Sequence, residues 1–250
     1  MAKDNSDEIV VYWGPIFEIY PDTYIDWNIF YQDPIEVLPE FKKQKDKGAK
    51  QESLIYCPAF NSNYKNTFMI NNVTDSKFVY NNQEGMWEIP NKYQIHPAKS
   101  KVRTPYIVNR HPLMLSMAWL FVAEESLEME MIAPYLHRTE ASKYGVIGTG
   151  KFDIGKWFRP VHAEYLLWEG VEHMHISEGE PMFYVRFNTD KKVVLKRFVN
   201  NEEIFKRTVS IVETKYIFGK FPPLERLYDY FAKTRTKDVM LKAIKESVID

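Results

Sequence analysis

The sequence predicts a mainly β protein, an antiparallel β-sandwich or jelly-roll-like body that carries a C-terminal helical segment. Three observations favour this fold class. Short apolar runs recur at a spacing of about ten residues, with turn residues between them. Aromatic residues make up 15% of the 250-residue chain and there are only 10 glycines, a composition typical of pleated, half-buried surfaces. Finally, no strand–helix alternation precedes residue 200, where the hydrophobic period changes.

The first predicted strands are apolar runs that end at or near turn residues such as Gly14-Pro15 and Asp33-Pro34. Polar residues 1–7 predict a loose tail, and the lysine-rich segment 40–50 predicts a solvated loop. Residues 84–112 hold four prolines and no clear period, which predicts a long surface excursion. The strand runs are residues 9–13, 27–31, 67–70 and 78–80.

The most apolar run of the chain, residues 113–122, is followed by a strictly alternating segment at 127–131. The period of two predicts a strand, and the acidic residues between the two runs predict a hairpin turn. Glu128 and Glu130 share one face of the second strand. Paired carboxylates can perform acid–base chemistry when burial raises one pKa, but a solvated sheet face is the favoured interpretation here.

Four further strands are predicted before residue 199, at 162–168, 171–177, 182–188 and 193–199. We therefore expect a β-sandwich-like domain over residues 1–199, with residues 200–250 forming helices packed on it. Asn201 is the expected N-cap of the first helix, and Thr236 of the last. The apolar face of the last helix is predicted to consist of Val239, Met240, Ala243, Ile244 and Val248.

Charge and cysteine content exclude several classes of protein. The net charge of −1 lacks the positive excess of a nucleic-acid binder, so no nucleic-acid partner is expected. The single cysteine, Cys57, excludes an intramolecular disulfide. No apolar run is long enough to span a membrane, and the N-terminus does not resemble a signal peptide. The sequence therefore predicts a cytoplasmic protein without a membrane partner.

The chain contains several distinctive short motifs, which are Cys57-Pro58-Ala59-Phe60, Lys65-Asn66-Thr67-Phe68, Gly150-Lys151-Phe152-Asp153-Ile154, Trp157-Phe158-Arg159-Pro160, and Gly179-Glu180-Pro181 followed by Phe183-Tyr184-Val185. Together they resemble motifs of uncharacterised proteins encoded by marine tailed bacteriophages, including cyanophages, and more distantly the domain family of unknown function DUF6065. The resemblance implies a viral, β-rich protein located in the host cytoplasm or in the virion. It implies no activity and no catalytic residues.

His173, His175 and Glu180 match the core of the first cupin motif. In a strand both imidazoles point to the same face, and a turn could bring the glutamate back as an oxygen ligand for Fe, Mn or Zn. The glycines of the motif are absent and no histidine follows His175, so His137 or His162 would have to complete the ligand set. The alternative interpretation is an exposed strand with two ordinary histidines, and no cofactor is the favoured expectation.

The segment 157–162 concentrates aromatic, guanidinium and imidazole groups on Trp157, Arg159 and His162. Such groups anchor many protein interfaces, and they also pack the edges of sandwiches. Cys57 lacks a neighbouring histidine and is expected to be structural. The glycines at 145, 148 and 150 lack the Lys-Ser/Thr of a phosphate-binding loop and predict a mobile turn.

Two functions follow from these features. The first is a binding protein without catalytic activity, either a virion or assembly component or a host-interaction factor, whose partners are other proteins or a second copy of itself. The second is a cupin-like metal enzyme that uses His173, His175 and Glu180. Metal content separates the two hypotheses.

Overall fold

A computed structural model describes residues 7–17, 27–45, 57–81, 86–88, 113–156, 158–217 and 224–249. More of these residues lie in strands than in helices. The strands are β1 (Glu8–Pro15), β2 (Ile35–Glu36), β3 (Thr67–Asn71), β4 (Ser76–Asn81), β5 (Met86–Glu88), β6 (Leu113–Ala123), β7 (Glu128–Ile132), β8 (Gly145–Ile147), β9 (Gly150–Asp153), β10 (Val161–Leu167), β11 (His173–Ile176), β12 (Pro181–Phe187), β13 (Lys192–Phe198) and β14 (Val248–Ile249). The α-helices are α1 (Val37–Lys45), α2 (Pro58–Asn61), α3 (Glu202–Ile217), α4 (Leu224–Lys233) and α5 (Arg235–Glu246).

The described strands form three sheets. The large sheet has the order β14-β13-β1-β6-β10-β8, the five-stranded sheet β2-β3-β12-β7-β9, and the small sheet β11-β4-β5. Strands β1 and β13 run parallel, whereas every other pair of described strands is antiparallel. The predicted mainly β, mainly antiparallel fold class with a C-terminal helical segment is therefore confirmed.

The large and five-stranded sheets pack face to face around one aromatic core. Trp119 of β6 meets Phe183 of β12 edge to face, with ring centroids 5.4 Å apart. Phe121 and Phe187 repeat this contact at 6.1 Å. Aromatic pairs of this geometry add stability beyond the area that they bury. Phe78 from the small sheet belongs to the same buried cluster, so all three sheets share this core.

The large sheet and the five-stranded sheet each carry helices on the face that points away from the shared core. Leu120 and Val122 point from β6 toward the helices, where they form a second buried cluster with Ile204 of α3 and with Met240 and Ile244 of α5. On the outer side of the five-stranded sheet a smaller cluster forms against the start of α1. Its buried members are Val37, Tyr64, Met69 and Tyr184.

Two N-terminal expectations are wrong. Residues 27–31 do not form a strand, because Trp27–Phe30 is a 3-10 helix whose Asn28 carbonyl accepts a hydrogen bond from Arg197. The segment 40–50 is not a loop throughout, because α1 extends to Lys45. Val37 is buried and Leu38 is partly buried, and both anchor this helix to the sheet. The lysine-rich composition of the segment gives no indication of this contact. The excursion predicted for 84–112 lies largely outside the described residues, apart from β5.

The predicted hairpin at residues 124–126 is also wrong. Strand β6 pairs with β1 and β10 in the large sheet, whereas β7 pairs with β12 and β9 in the five-stranded sheet. The turn therefore carries the chain from one sheet of the sandwich to the other. A sequence pattern shows where a chain turns, but the pairing partners on either side of the turn depend on distant strands.

The C-terminal helices follow the predicted order with small shifts. Asn201 caps α3, since its Oδ1 accepts from the Ile204 N–H at 2.9 Å. The cap of α5 is Thr234 rather than Thr236, and it accepts from the Thr236 N–H. The helix ends at Glu246, so Val248 lies in β14 instead, and Val239 is exposed. No helix in the described part of the chain is long and apolar enough to cross a membrane.

Candidate functional site

The segment 157–162, for which the sequence allows either an interface role or packing, contacts the protein's own helices. Arg159 Nη1 donates to the hydroxyl of Tyr228 on α4 at 3.1 Å. Phe158 is fully buried and its ring lies 4.9 Å from that of Phe231 on the same helix. Trp157 lies outside the described residues. Both contacts tie the start of β10 to α4, which favours the packing interpretation of this segment over a binding role.

His162 belongs to the same region. Burial lowers the pKa of its imidazole, and hydrogen bonds to the backbone of Met117 oppose that effect. Its Nδ1 is buried, and no described residue forms a hydrogen bond with it. Because burial lowers its pKa, this imidazole is neutral at ordinary pH. Its predicted role in partner binding stays a prediction.

The two histidines of the cupin-like motif share one face of β11, as expected for alternate residues of a strand. His173 is exposed, and its ring lies edge-on to Tyr144 with centroids 5.7 Å apart. His175 Nε2 is 2.7 Å from Oδ1 of Asp75, which precedes the neighbouring strand β4. This pair lies at the surface, where such contacts contribute about 0–1 kcal/mol.

Glu180 does not join the two histidines as a ligand. Its Oε1 accepts from the Ala141 N–H at 2.9 Å, and its Oε2 accepts from the Ser177 N–H at 3.1 Å. Both carboxylate oxygens therefore hold backbone groups around the turn that leads into β12. In the described part of the chain no group of three or more His, Cys, Asp or Glu side chains is placed to hold a metal ion. The Fe, Mn or Zn alternative stays a prediction that this geometry does not favour.

An ion cluster that the sequence did not predict lies on the outer face of the five-stranded sheet. Glu130 of β7 faces Arg186 of β12 and Lys151 of β9, because these residues are register partners on adjacent strands. Arg186 Nε donates to Glu130 Oε2 at 2.9 Å, and Lys151 Nζ is 2.5 Å from Oε1. Glu130 is thus buried and paired, and the expected solvated face holds only for the exposed Glu128.

The electrostatics of this cluster favour the charged carboxylate. Burial raises the pKa of Glu130, but hydrogen bonds from Lys151 and Arg186 outweigh it and hold the pKa at about 2. The group is therefore ionised at any ordinary pH and is no candidate for a general acid. Opposite charges at hydrogen-bonding distance account for this effect.

Three tyrosines and a histidine surround the same face and form, with Arg186, what we call the tyrosine cluster. Tyr64 and Tyr135 are stacked with centroids 6.2 Å apart, and Tyr135 meets Tyr184 edge to face at 5.7 Å. His137 Nδ1 shares a hydrogen bond with the Tyr184 hydroxyl. The members of the cluster are Tyr64, Tyr135, His137, Tyr184 and Arg186.

Only part of the tyrosine cluster is open to solvent. Tyr64 and Tyr184 are buried, whereas Tyr135 is 51% exposed. Burial raises the pKa of Tyr184 and lowers that of His137, so both side chains are neutral at ordinary pH. The exposed ring of Tyr135 therefore packs on the buried rings of Tyr64 and Tyr184 and lies near the guanidinium of Arg186.

Sequence reasoning missed this cluster because its members come from three separate segments. Tyr64 precedes β3, Tyr135 and His137 follow β7, and Tyr184 and Arg186 alternate on β12. The available signal was the Tyr184–Arg186 alternation, which places both side chains on one strand face. Nothing in the sequence shows which other aromatic residues pack against that face.

The remaining candidates are structural elements. Gly145 and Gly150 lie in β8 and β9, so the glycine run is not simply a mobile turn. A side chain at Gly145 would collide with the backbone of Leu166, because a Cβ there would lie 2.3 Å from the carbonyl oxygen. Cys57 directly precedes α2 and is partly buried.

The fold and the surface described above define a mainly β protein with a three-sheet core and an aromatic–guanidinium surface. The chain matches no protein-family model, no curated protein and no solved structure. The resemblance to marine phage proteins therefore stays a prediction from the sequence motifs.

Proposed function

We propose that this chain is a virus-encoded binding protein, a component of the virion or of its assembly, which contacts another protein through the tyrosine cluster. The exposed Tyr135 carries the proposal. Its ring is supported by Tyr64 and Tyr184 and lies on the same sheet face as Arg186. Tyrosine and arginine are enriched among the residues that contribute most to protein–protein binding.

The rigidity of this surface supports a binding role. The buried tyrosines restrict the motion of the exposed ring, so little side-chain entropy is lost when a partner covers it. Glu130 likewise holds the Arg186 guanidinium in place, and Lys151 in turn binds the Glu130 carboxylate. A preorganised aromatic anchor with a fixed polar neighbour is the arrangement that a protein partner can bind at low entropic cost.

Other properties of the chain are consistent with this role. The balanced net charge gives no electrostatic attraction to nucleic acid, so the partner that we propose is a protein. The phage resemblance favours action in the host cytoplasm or inside the particle. No described group of side chains has the arrangement of a metal centre, so no observation favours the enzymatic alternative.

The first test is the content of purified virus particles and of complexes isolated with the other virus-encoded proteins. Quantitative mass spectrometry should find this chain in the particles or in one such complex. Its absence from both would refute the proposed function.

The second test compares Tyr135→Ala with Tyr230→Ala. Tyr230 is an exposed tyrosine on α4 that also lies beside an arginine, Arg226, but it has no supporting tyrosines among the described residues. Tyr135→Ala should reduce incorporation into the particle or complex, whereas Tyr230→Ala should not. Both variants should keep a cooperative thermal transition, which shows that they remain folded. Equal incorporation of the two variants would contradict the assignment of the tyrosine cluster.

A further inference from the structure

The tyrosine cluster contains a group that titrates near neutral pH, the imidazole of His137. This residue belongs to the turn that carries the exposed Tyr135, since the His137 N–H donates to the Pro134 carbonyl at 2.9 Å. The Tyr135 N–H donates to the Ala133 carbonyl in the same turn, at 2.8 Å. A change in the position of the His137 ring therefore acts directly on the segment that presents Tyr135.

Two residues attach this turn to the five-stranded sheet. The side chain of Leu136 is partly buried against the cluster that includes Tyr184, and His137 Nδ1 shares a hydrogen bond with the Tyr184 hydroxyl. Burial raises the pKa of Tyr184, and a hydrogen bond from the backbone of Leu136 opposes that effect. The hydroxyl thus accepts from Leu136 and donates its own proton to His137. This arrangement requires that Nδ1 carries no proton.

A carboxylate from a different element also acts on the imidazole. Burial lowers the pKa of His137, and the negative charge of Glu40 on α1 opposes that effect. Lys43 Nζ is 3.5 Å from the Glu40 carboxylate, but this ion pair is exposed and therefore weak. Glu40 can thus pair with a second cation. A neutral His137 accepts from Tyr184, whereas a protonated His137 is attracted to Glu40.

The other charged and titratable groups near the turn do not attract a proton to His137. Arg138 follows it in sequence, and Arg186 lies two residues from Tyr184 on β12, so both contribute positive charge. Glu130 is already paired with Arg186 and with Lys151. Burial raises the pKa of both Tyr64 and Tyr135, so these phenols stay neutral. Glu40 is therefore the anion that stabilises a protonated His137.

We propose that His137 is an acid-sensitive switch of the tyrosine cluster. At neutral pH the unprotonated ring accepts from Tyr184 and holds the turn in the conformation that presents Tyr135. In acid the protonated ring leaves the Tyr184 hydroxyl for the Glu40 carboxylate, and the turn loses this attachment to the sheet.

The consequence for the partner rests on the proposed function. A partner that covers Tyr135 removes water from the half-buried His137 and so favours the neutral ring. The affinity is then complete above the pH at which His137 titrates in the free chain. Below that pH it falls by up to about tenfold for each pH unit, because the free chain takes up a proton that the bound chain excludes.

Nuclear magnetic resonance of the native chain tests the switch without a partner. The His137 ring signals should titrate with a midpoint below the ordinary value of 6.5, and the ring signals of Tyr135 and Tyr184 should shift with the same midpoint. In His137→Gln, which cannot titrate, the tyrosine signals should stay constant over this range. Tyrosine signals that stay constant while His137 titrates in the native chain would overturn the proposal.

Removal of the Glu40 charge tests the acidic partner of His137. Glu40→Gln should lower the midpoint of the His137 titration, because it removes the attraction for the protonated ring. Glu36→Gln is the matched control, since Glu36 is exposed and lies four residues earlier, directly before α1. This control should leave the midpoint unchanged. Equal midpoints in the native chain and in Glu40→Gln would exclude the exchange between Tyr184 and Glu40.

Retention in the particle or complex tests the consequence for the partner. The native chain should be released more readily at about pH 5 than at about pH 7.5, whereas His137→Gln should be retained equally at both. His173→Gln replaces an exposed histidine outside the cluster and should behave like the native chain. Release of His137→Gln in acid to the native extent would overturn the switch. Absence of the chain from every particle and complex would refute only the proposed function, because the titration needs no partner.

Discussion

Replacement of Glu130 by glutamine tests the ion cluster that fixes one side of the tyrosine cluster. In the native protein the carboxylate is buried and accepts from Arg186 and Lys151. The amide of Glu130→Gln keeps the shape of the side chain but removes its charge. Arg186 would then remain partly buried without its anion, which is a costly arrangement.

The size of the effect follows from the pKa of Glu130. The pKa is about 2 in the folded protein and 4.5 for an unperturbed glutamate. At about 1.4 kcal/mol for each pKa unit, the ionised state stabilises the fold by roughly 3 kcal/mol. Because the folded pKa is the lower one, this contribution is complete above the unfolded pKa. It is lost as the pH falls from 4.5 toward about 2.

Urea unfolding at a series of pH values measures this contribution. We expect Glu130→Gln to lower the free energy of unfolding at neutral pH by about 3 kcal/mol and to flatten its decline in acid. The matched control is Glu128→Gln, since Glu128 also contacts Lys151 but is about half exposed. Exposed ion pairs of that kind contribute about 0–1 kcal/mol. Similar losses in both variants, or an unchanged acid decline in Glu130→Gln, would refute the reasoning.

Three further predictions concern the helices and the effect of metal removal. Ile244→Ala should cost about 2–5 kcal/mol of unfolding free energy, because Ile244 is fully buried against the large sheet. Val239→Ala on the same helix should change it by less than about 0.5 kcal/mol, and equal effects would show that α5 is not docked. Tyr228→Phe removes the hydroxyl that accepts from Arg159 and should cost about 0.5–1.5 kcal/mol in urea unfolding, so an unchanged stability would argue against that contact. Added EDTA should leave the thermal midpoint unchanged, since both oxygens of Glu180 are bonded to backbone N–H groups, and loss of the cooperative transition would contradict this expectation.

The sequence predicted those elements whose signal is local. The strands at β10 to β13 appear within one or two residues of their predicted bounds, because turn residues separate short apolar runs there. The N-cap role of Asn201 was likewise visible, since capping depends on neighbouring residues alone. The common face of His173 and His175 also followed directly from the two-residue period of a strand.

Expectations failed where a distant contact decides the outcome. The 3-10 helix at Trp27–Phe30 replaces a predicted strand, and Arg197, far along the chain, binds its backbone. Glu130 is buried because Arg186 and Lys151 flank it on the two neighbouring strands, whereas the alternation of residues 127–131 predicted exposure. The interpretation of residues 157–162 required knowing that α4 packs beside them.

The fold class, the positions of most strands and the exclusion of disulfides can be predicted from the amino-acid sequence, because each depends on residue type and local period. Three features became visible only in the folded chain: which strands share a sheet, which carboxylate is buried, and where an exposed ring lies beside a guanidinium. All three depend on strand pairing, which joins residues that are remote in sequence. Tyr64, Tyr135 and Tyr184 become neighbours only when β3, β7 and β12 lie side by side in one sheet.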